Sequence, residues 1–248
     1  RAMPAMMAAG PAPVTPGGVR SAWPPARRSG QDGPVDAITV ARADTPHGEV
    51  ALRRRGGVDE LIVDGVFAMD SAETTSELAL ADAAPLGRVL VGGLGLGYTA
   101  GRLLDRGASH LDVVELAAPL LDWARAGLTP RLARVASDAR VSLHHGDVAD
   151  WAQAHEGPWE AILLDVDNGP SFLIHAHNAR VYAEGWLRLF WSRLAPGGAL
   201  VVWCEEPSPA LWDALRSIAP DTEELLVPVD REGRSFTYAL YRARRPAA

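Results

Sequence analysis

Asp165 and Asp167 stand two residues apart where the apolar pair Leu163-Leu164 gives way to Asp165-Val166-Asp167-Asn168-Gly169-Pro170. Carboxyl groups beside apolar neighbours can hold a cationic amine and take its proton. The competing use is an Asx turn made by Asp167 or Asn168 ahead of Gly-Pro. A second group is glycine: Gly92-Gly93-Leu94-Gly95-Leu96-Gly97 follows Val89-Leu90-Val91. Glycine lets backbone approach a ligand and frees a helix N-terminus to face it. Gly92, Gly93, Gly95 and Gly97 are therefore candidate cofactor contacts, although Gly95-x-Gly97-x-x-Ala100 also fits a dinucleotide fingerprint. Glu115 ends the next apolar run, 20 residues after Gly95, and a carboxylate there can accept two ribose hydroxyls. Asp147, after Gly146, can accept an adenine amino group, cap the helix that follows, or do both.

Histidine gives no metal motif. His144 and His145 are neighbours at a strand end and point to opposite faces, and no acid or cysteine completes a set around His175 and His177. His175, His177 and Asn178 instead read as the mouth of a substrate site. The eight tryptophans are spread along the chain as core or pocket wall.

These residues need a scaffold that brings strand ends together. From residue 88 the pattern is strand, turn, helix, repeated. Strands are expected at Arg88–Val91, Leu111–Glu115, Arg140–Leu143, Ala161–Asp165 and Ala199–Trp203. Helices are expected after Gly97 and near 119–126, 148–155, 178–194 and 208–218. Such alternation predicts a parallel sheet covered on both faces. Pro196-Gly197-Gly198 is expected to stop the long helix. Two last extended segments, Glu224–Val227 and Ser235–Tyr241, flank a turn at Asp230–Gly233 and predict a closing antiparallel hairpin. Residues 36–71 carry short β segments and turn formers and predict a small antiparallel unit. Residues 72–84 read as helix, and 1–35, rich in Pro, Gly and Ala, as a flexible tail.

Composition narrows the chemistry. The chain has 248 residues, and its 24 cationic residues are all Arg. Without lysine there is no Schiff-base enzyme and no Walker-type phosphate loop. One cysteine, Cys204, excludes a disulfide framework and fits a reducing cytoplasm. A net charge of −7 argues against nucleic-acid or anionic-membrane partners. The uncharged run Ala2–Val19 is broken by prolines and predicts neither a membrane span nor a signal peptide.

In order, Gly92–Gly97, Glu115, Gly146-Asp147, Asp165 and Pro196-Gly197-Gly198 resemble class I S-adenosylmethionine-dependent methyltransferases. The chain is most similar to their spermidine/spermine synthase (aminopropyltransferase) branch, over about 36–242. Asp64-Gly65 through Glu73 and Glu77, and Val181-Tyr182-Ala183-Glu184, are similar to family segments before the cofactor strand and after the catalytic loop. The resemblance implies an α/β, Rossmann-like seven-stranded sheet over 72–248 with a C-terminal hairpin. It implies that Glu115 binds ribose, Asp147 binds adenine and Asp165 holds or deprotonates the attacking amine. Asp167, Asn168, Glu77, His175 and His177 are then substrate candidates, a homodimer is expected, and the second substrate is a small-molecule acceptor. The chain departs from the family pattern at three places: Gly95 stands where the loop has Asp, Thr75-Ser76-Glu77 where the family has Tyr-His-Glu, and the Asp165–Pro170 loop is shorter. All three fall on amine recognition. With glycine at 95 the tail carboxylate of S-adenosylmethionine could rest on loop N–H groups, so methyl transfer to an amine is expected. The alternatives are aminopropyl transfer from decarboxylated S-adenosylmethionine with Glu77 or Asp167 as the extra acid, an NAD-dependent oxidoreductase, or a nucleoside-binding relative without turnover.

Overall fold

Val89-Leu90-Val91 is apolar on both faces, so β5 (Arg88–Gly92) has to be a central strand. The computed structural model, which describes residues 36–166, 176–231 and 233–247, places it there. Parallel to it run β6 (His110–Glu115) on one side and β8 (Trp159–Leu164) on the other. Outside these lie β7 (Val141–His145) and β9 (Leu194–Cys204). The hairpin of β10 (Thr222–Arg231) and β11 (Arg234–Arg244) closes the sheet, β11 lying antiparallel to β9. The order is β10-β11-β9-β8-β5-β6-β7. This is the expected seven-stranded sheet, and its antiparallel hairpin sets it apart from the six-stranded parallel dinucleotide order. Chain order reverses at β5, so the crevice between the carboxyl ends of β5, β6 and β8 is where such sheets take ligands.

Helices α2 (Tyr98–Asp105) and α4 (Pro130–Ser137) cover one face, with α1 (Thr75–Asp82) and α3 (Ala118–Arg125); α5 (Val148–Ala154), α6 (Glu184–Ser192) and α7 (Pro209–Ile218) cover the other. A separate four-stranded antiparallel sheet precedes them: β1 (Ile38–Thr45), β2 (Gly48–Arg55), β3 (Val58–Val63) and β4 (Val66–Asp70). Asp64 and Gly65 both take positive φ, 48° and 75°, as a tight two-residue hairpin demands. Leu52 and Leu61 of this sheet pack with Leu96 and Leu120, so the small sheet leans on the glycine loop and on α3.

Some elements differ from expectation. The helix expected over 178–194 is a 3-10 turn at Ala176–Tyr182 followed by α6, because Ala183 is extended, with ψ 142°. Pro196-Gly197-Gly198 lies inside β9, whose pairing with β8 shifts opposite Trp159–Ala161. α4 and β4 were not expected. α4 shows only Leu132 and Val135 to the core, too short a stripe to read, although Thr129 caps it through Leu132 N at 3.1 Å. None of the described helices is long and apolar enough to cross a membrane.

Candidate active site

The turn after β5 carries the first wall of a cleft between the two sheets. Gly93 and Gly95 border it, whereas Gly92 packs on Val148 and Gly97 is the left-handed cap of α2. Gly93 is obligatory: its φ is +93°, and a Cβ would stand 2.1 Å from the Asp165 carbonyl oxygen. Gly95 faces a different neighbour. A Cβ there would lie 2.8 Å from Met69 Sδ, which comes from β4 and accepts the Leu96 N–H at 3.3 Å. Four of the five N–H groups from Gly93 to Gly97 have a hydrogen-bond partner within the chain. Gly93 donates to Val114 O and Gly97 to Leu94 O, both at 2.8 Å. Leu94 donates to Glu115 Oε2 at 2.8 Å, and the Gly95 N–H helps to hold down the proton affinity of the same carboxyl.

Four acids line this one cleft: Glu77, Glu115, Asp147 and Asp165. Glu115 ends β6 and is buried. Burial pushes its carboxyl up, and the N–H groups of Ala117, Leu94, Gly95 and Leu116 pull the other way. Asp147 caps α5, its Oδ1 accepting Ala149 N–H at 2.7 Å. Against the upward push of burial, Arg180 and the helix N–H groups hold it below the usual carboxylate range. Both expected uses of Asp147 are thus compatible: it caps a helix and still borders the cleft. Asp165 follows β8, tied by its N–H to Gly92 O at 2.9 Å. Its Oδ2 accepts the Thr99 hydroxyl at 2.6 Å. Burial pushes this carboxyl up to about 6, Thr99 lowers it, and the Glu115 charge raises it. Glu77, on the first turn of α1, is pushed up to about 7 by burial and then by the charge of Asp165. The Ser76 hydroxyl, donating to Oε2 at 2.8 Å, works against this. The Asp165 charge thus raises the affinity of Glu77 for a proton, and a cation entering the cleft that both acids line would relieve it.

Several contributors gave little signal in the sequence. Thr45 and His47, at the β1–β2 turn, and Met69 reach the cleft from the small sheet. Trp203, at the carboxyl end of β9, lines it too; only its place at a strand end could have marked it. Arg180 bridges Asp147 Oδ1 and Asp150 Oδ2, each at 2.8 Å, over the Trp186 ring. Tyr182 donates its hydroxyl to Val166 O at 2.7 Å. Asp167, Asn168, His175 and the side chain of His177 lie outside the described residues. His144 turns to the buried Asp112, with Arg88, His110 and the Trp159 indole, and stacks on Trp151. Among the described residues no group of three or more potential ligands could hold a metal.

No family model matches the sequence, and no curated protein matches it. The fold does find relatives. A spermidine synthase in complex with the transition-state analogue AdoDATO superposes with a TM-score of 0.71 at 16% identity, covering 85% of this chain and 74% of that one. The spermidine synthase from Thermotoga maritima gives a TM-score of 0.71 at 14% identity over the same shares. The chain has the spermidine synthase fold. The small β sheet in front and the hairpin behind belong to that fold, and the cleft lies at the switch point of its sheet.

Proposed function

We propose that the protein is a sulfonium-nucleoside-dependent transferase that alkylates a small amine, with an aminopropyl group from decarboxylated S-adenosylmethionine as the favoured donor group. The observation that carries this reading is the charge of the cleft. Four carboxyl groups line it, and no Arg does so among the described residues. Most of the loop N–H groups that could have held a methionine-type carboxylate are engaged by Glu115, Met69 and backbone carbonyls. A carboxylate tail would enter acidic surroundings with few donors, which is costly, while a purely cationic tail is welcome. This reverses the preference for methyl transfer drawn from Gly95, because that argument needed free N–H groups.

Glu115 would accept the ribose hydroxyls and Asp147 the adenine amino group, with Gly93 and Gly95 allowing close approach. When bound, the nucleoside supplies an electrophilic carbon next to a cationic sulfur that leaves as a neutral thioether. Asp165 orients the incoming amine and takes its proton; Thr99 fixes Oδ2 and so sets the carboxyl plane. Glu77 neutralises the cationic partner beside it. The spermidine synthases found by superposition support this choice of donor, one of them being in complex with AdoDATO.

Methyl transfer remains the second reading, since no acid stands at position 95 and a thioether bounds that end. Incubation with each donor and a mixture of small amines, followed by product mass analysis, separates the two. The aminopropyl adduct is expected; a methyl adduct would establish the second reading, and neither adduct would refute both.

A further inference from the structure

Asp147 borders the cleft, but the cation that governs it stands behind the wall. Arg180 comes from the 3-10 turn Ala176–Tyr182 and does not line the cleft. Its Nη2 lies 2.8 Å from Asp147 Oδ1 and 2.8 Å from Asp150 Oδ2, and its guanidinium covers the Trp186 ring at 5.0 Å. The two acids differ in their surroundings. The Asp150 side chain is 63% exposed and that of Asp147 10%, so water screens the first pairing and leaves the second strong. The Ala149 N–H donates to the same Asp147 oxygen at 2.7 Å. Two donors on one oxygen, one from α5 and one from the 3-10 turn, fix the carboxyl plane and favour the ionised form. The turn that carries Arg180 is anchored independently of it. Tyr182 donates to Val166 O at 2.7 Å, and Val181 is buried and lines the cleft. Arg88 pairs with the buried Asp112 at 2.9 Å in a similar way, but Asp112 also takes the Trp159 indole N–H and does not border the cleft. The Arg180–Asp147 pair, by contrast, presents its acid to a ligand.

We propose that Arg180 is a positioning residue for nucleobase recognition: it holds Asp147 as a fixed acceptor, so that the cleft selects a 6-aminopurine nucleoside over a purine without that amino group. An ionised carboxylate accepts hydrogen bonds and donates none. Held in one plane, it rewards an N–H group on the base and gives nothing to a C–H in the same place. Released from Arg180, the same carboxyl turns to water as readily as to the base, and the reward shrinks. Arg180 touches neither the base nor the reacting carbon; it acts through Asp147. This inference rests on the reading of the cleft as a sulfonium-nucleoside site with adenine at Asp147.

Calorimetric titration of the full chain with 5′-methylthioadenosine, and with its analogue bearing hydrogen in place of the 6-amino group, tests it. Neither probe carries the tail by which the two donors differ. The wild type is expected to bind the aminopurine about tenfold or more tighter than the analogue. Arg180→Met keeps much of the length and removes the charge. It should cut that ratio to about threefold or less, with the affinity for the analogue nearly unchanged. Arg180 reaches both acids through one nitrogen, so an ammonium can stand in for it, and Arg180→Lys should recover most of the ratio. Should Arg180→Met not fold, Arg180→Gln, polar but uncharged, decides by the same ratio. A ratio unchanged in the neutral variant, or both affinities falling together, marks a merely structural role and overturns the inference. So does an Arg180→Lys ratio no higher than that of the neutral variant, or a wild type that binds both nucleosides equally. A wild type that binds neither nucleoside strikes the functional reading itself, so the two failures are distinguishable.

Discussion

Asp165 is the residue on which the chemistry turns. Its raised affinity for a proton, with a midpoint near 6 rather than 3.8, makes it a usable base at neutral pH without leaving it protonated there. Asp165→Asn keeps size and the Thr99 contact and removes the base. Turnover is expected to fall about 10²- to 10⁴-fold, with nucleoside stabilisation retained; single-turnover rates and melting curves check this. In the wild type the rate should rise with pH through about 6, as the carboxyl loses its proton. Glu77 carries a separate consequence for stability. Its midpoint is raised from 4.5 to about 7, so the folded chain holds a proton that the unfolded chain has released between those values. Stability therefore falls as pH rises through that window and levels off above it. Glu77→Gln should remove the share of the fall that Glu77 contributes, leaving that of Asp165 and Glu115. The variant should melt about 2–4 °C above wild type at pH 8 for each kcal/mol relieved, and alongside it at pH 4. Equal melting at both values would show that Glu77 is not strained by its surroundings.

At the scale of elements, the site is built from four turns at strand ends, and their packing explains what the sequence disclosed and what it hid. The glycine loop and Asp165 were legible because buried parallel strands read as unbroken apolar runs, and a turn must follow each of them. Glu115 and Asp147 followed from the same logic. Met69, Thr99, Arg180 and Trp203 did not, because each acts across the fold: Thr99 meets Asp165 from 66 residues away. β4 and α4 were missed because each shows too few core positions for a period to emerge. The 178–194 helix was misjudged because the sequence gives no sign that Ala183 is extended, although Tyr182 is pinned to Val166. Glycines of positive φ fall into two kinds. Gly93→Ala places a Cβ against the Asp165 backbone and should destabilise by roughly 3 kcal/mol or more. Gly107→Ala, at φ +94° with nothing within 4 Å, should cost only about 1 kcal/mol. Comparable losses in denaturant titration would contradict the tight approach of loop and strand.

The molecule as a whole is acidic, with a net charge of −7, and four carboxyl groups line its cleft. Arg pairs with acids throughout the described body, as in Arg54–Asp59, Arg102–Asp82 and Arg140–Asp138. Of the four cleft acids, only Asp147 has an Arg partner, Arg180, among the described ion pairs. A cationic substrate is drawn there over about a Debye length, so KM for an amine should rise several-fold between low and physiological ionic strength while kcat stays nearly constant. A salt-independent KM would mean that the acids act only at contact. The central claim, that this crevice prefers a sulfonium nucleoside with a cationic tail, is open to one direct measurement. Calorimetric titration of the wild-type chain with decarboxylated S-adenosylmethionine and with S-adenosylmethionine compares two ligands that differ by one carboxylate. The decarboxylated form should bind about tenfold tighter or more; equal affinity, tighter binding of S-adenosylmethionine, or binding of neither would contradict it.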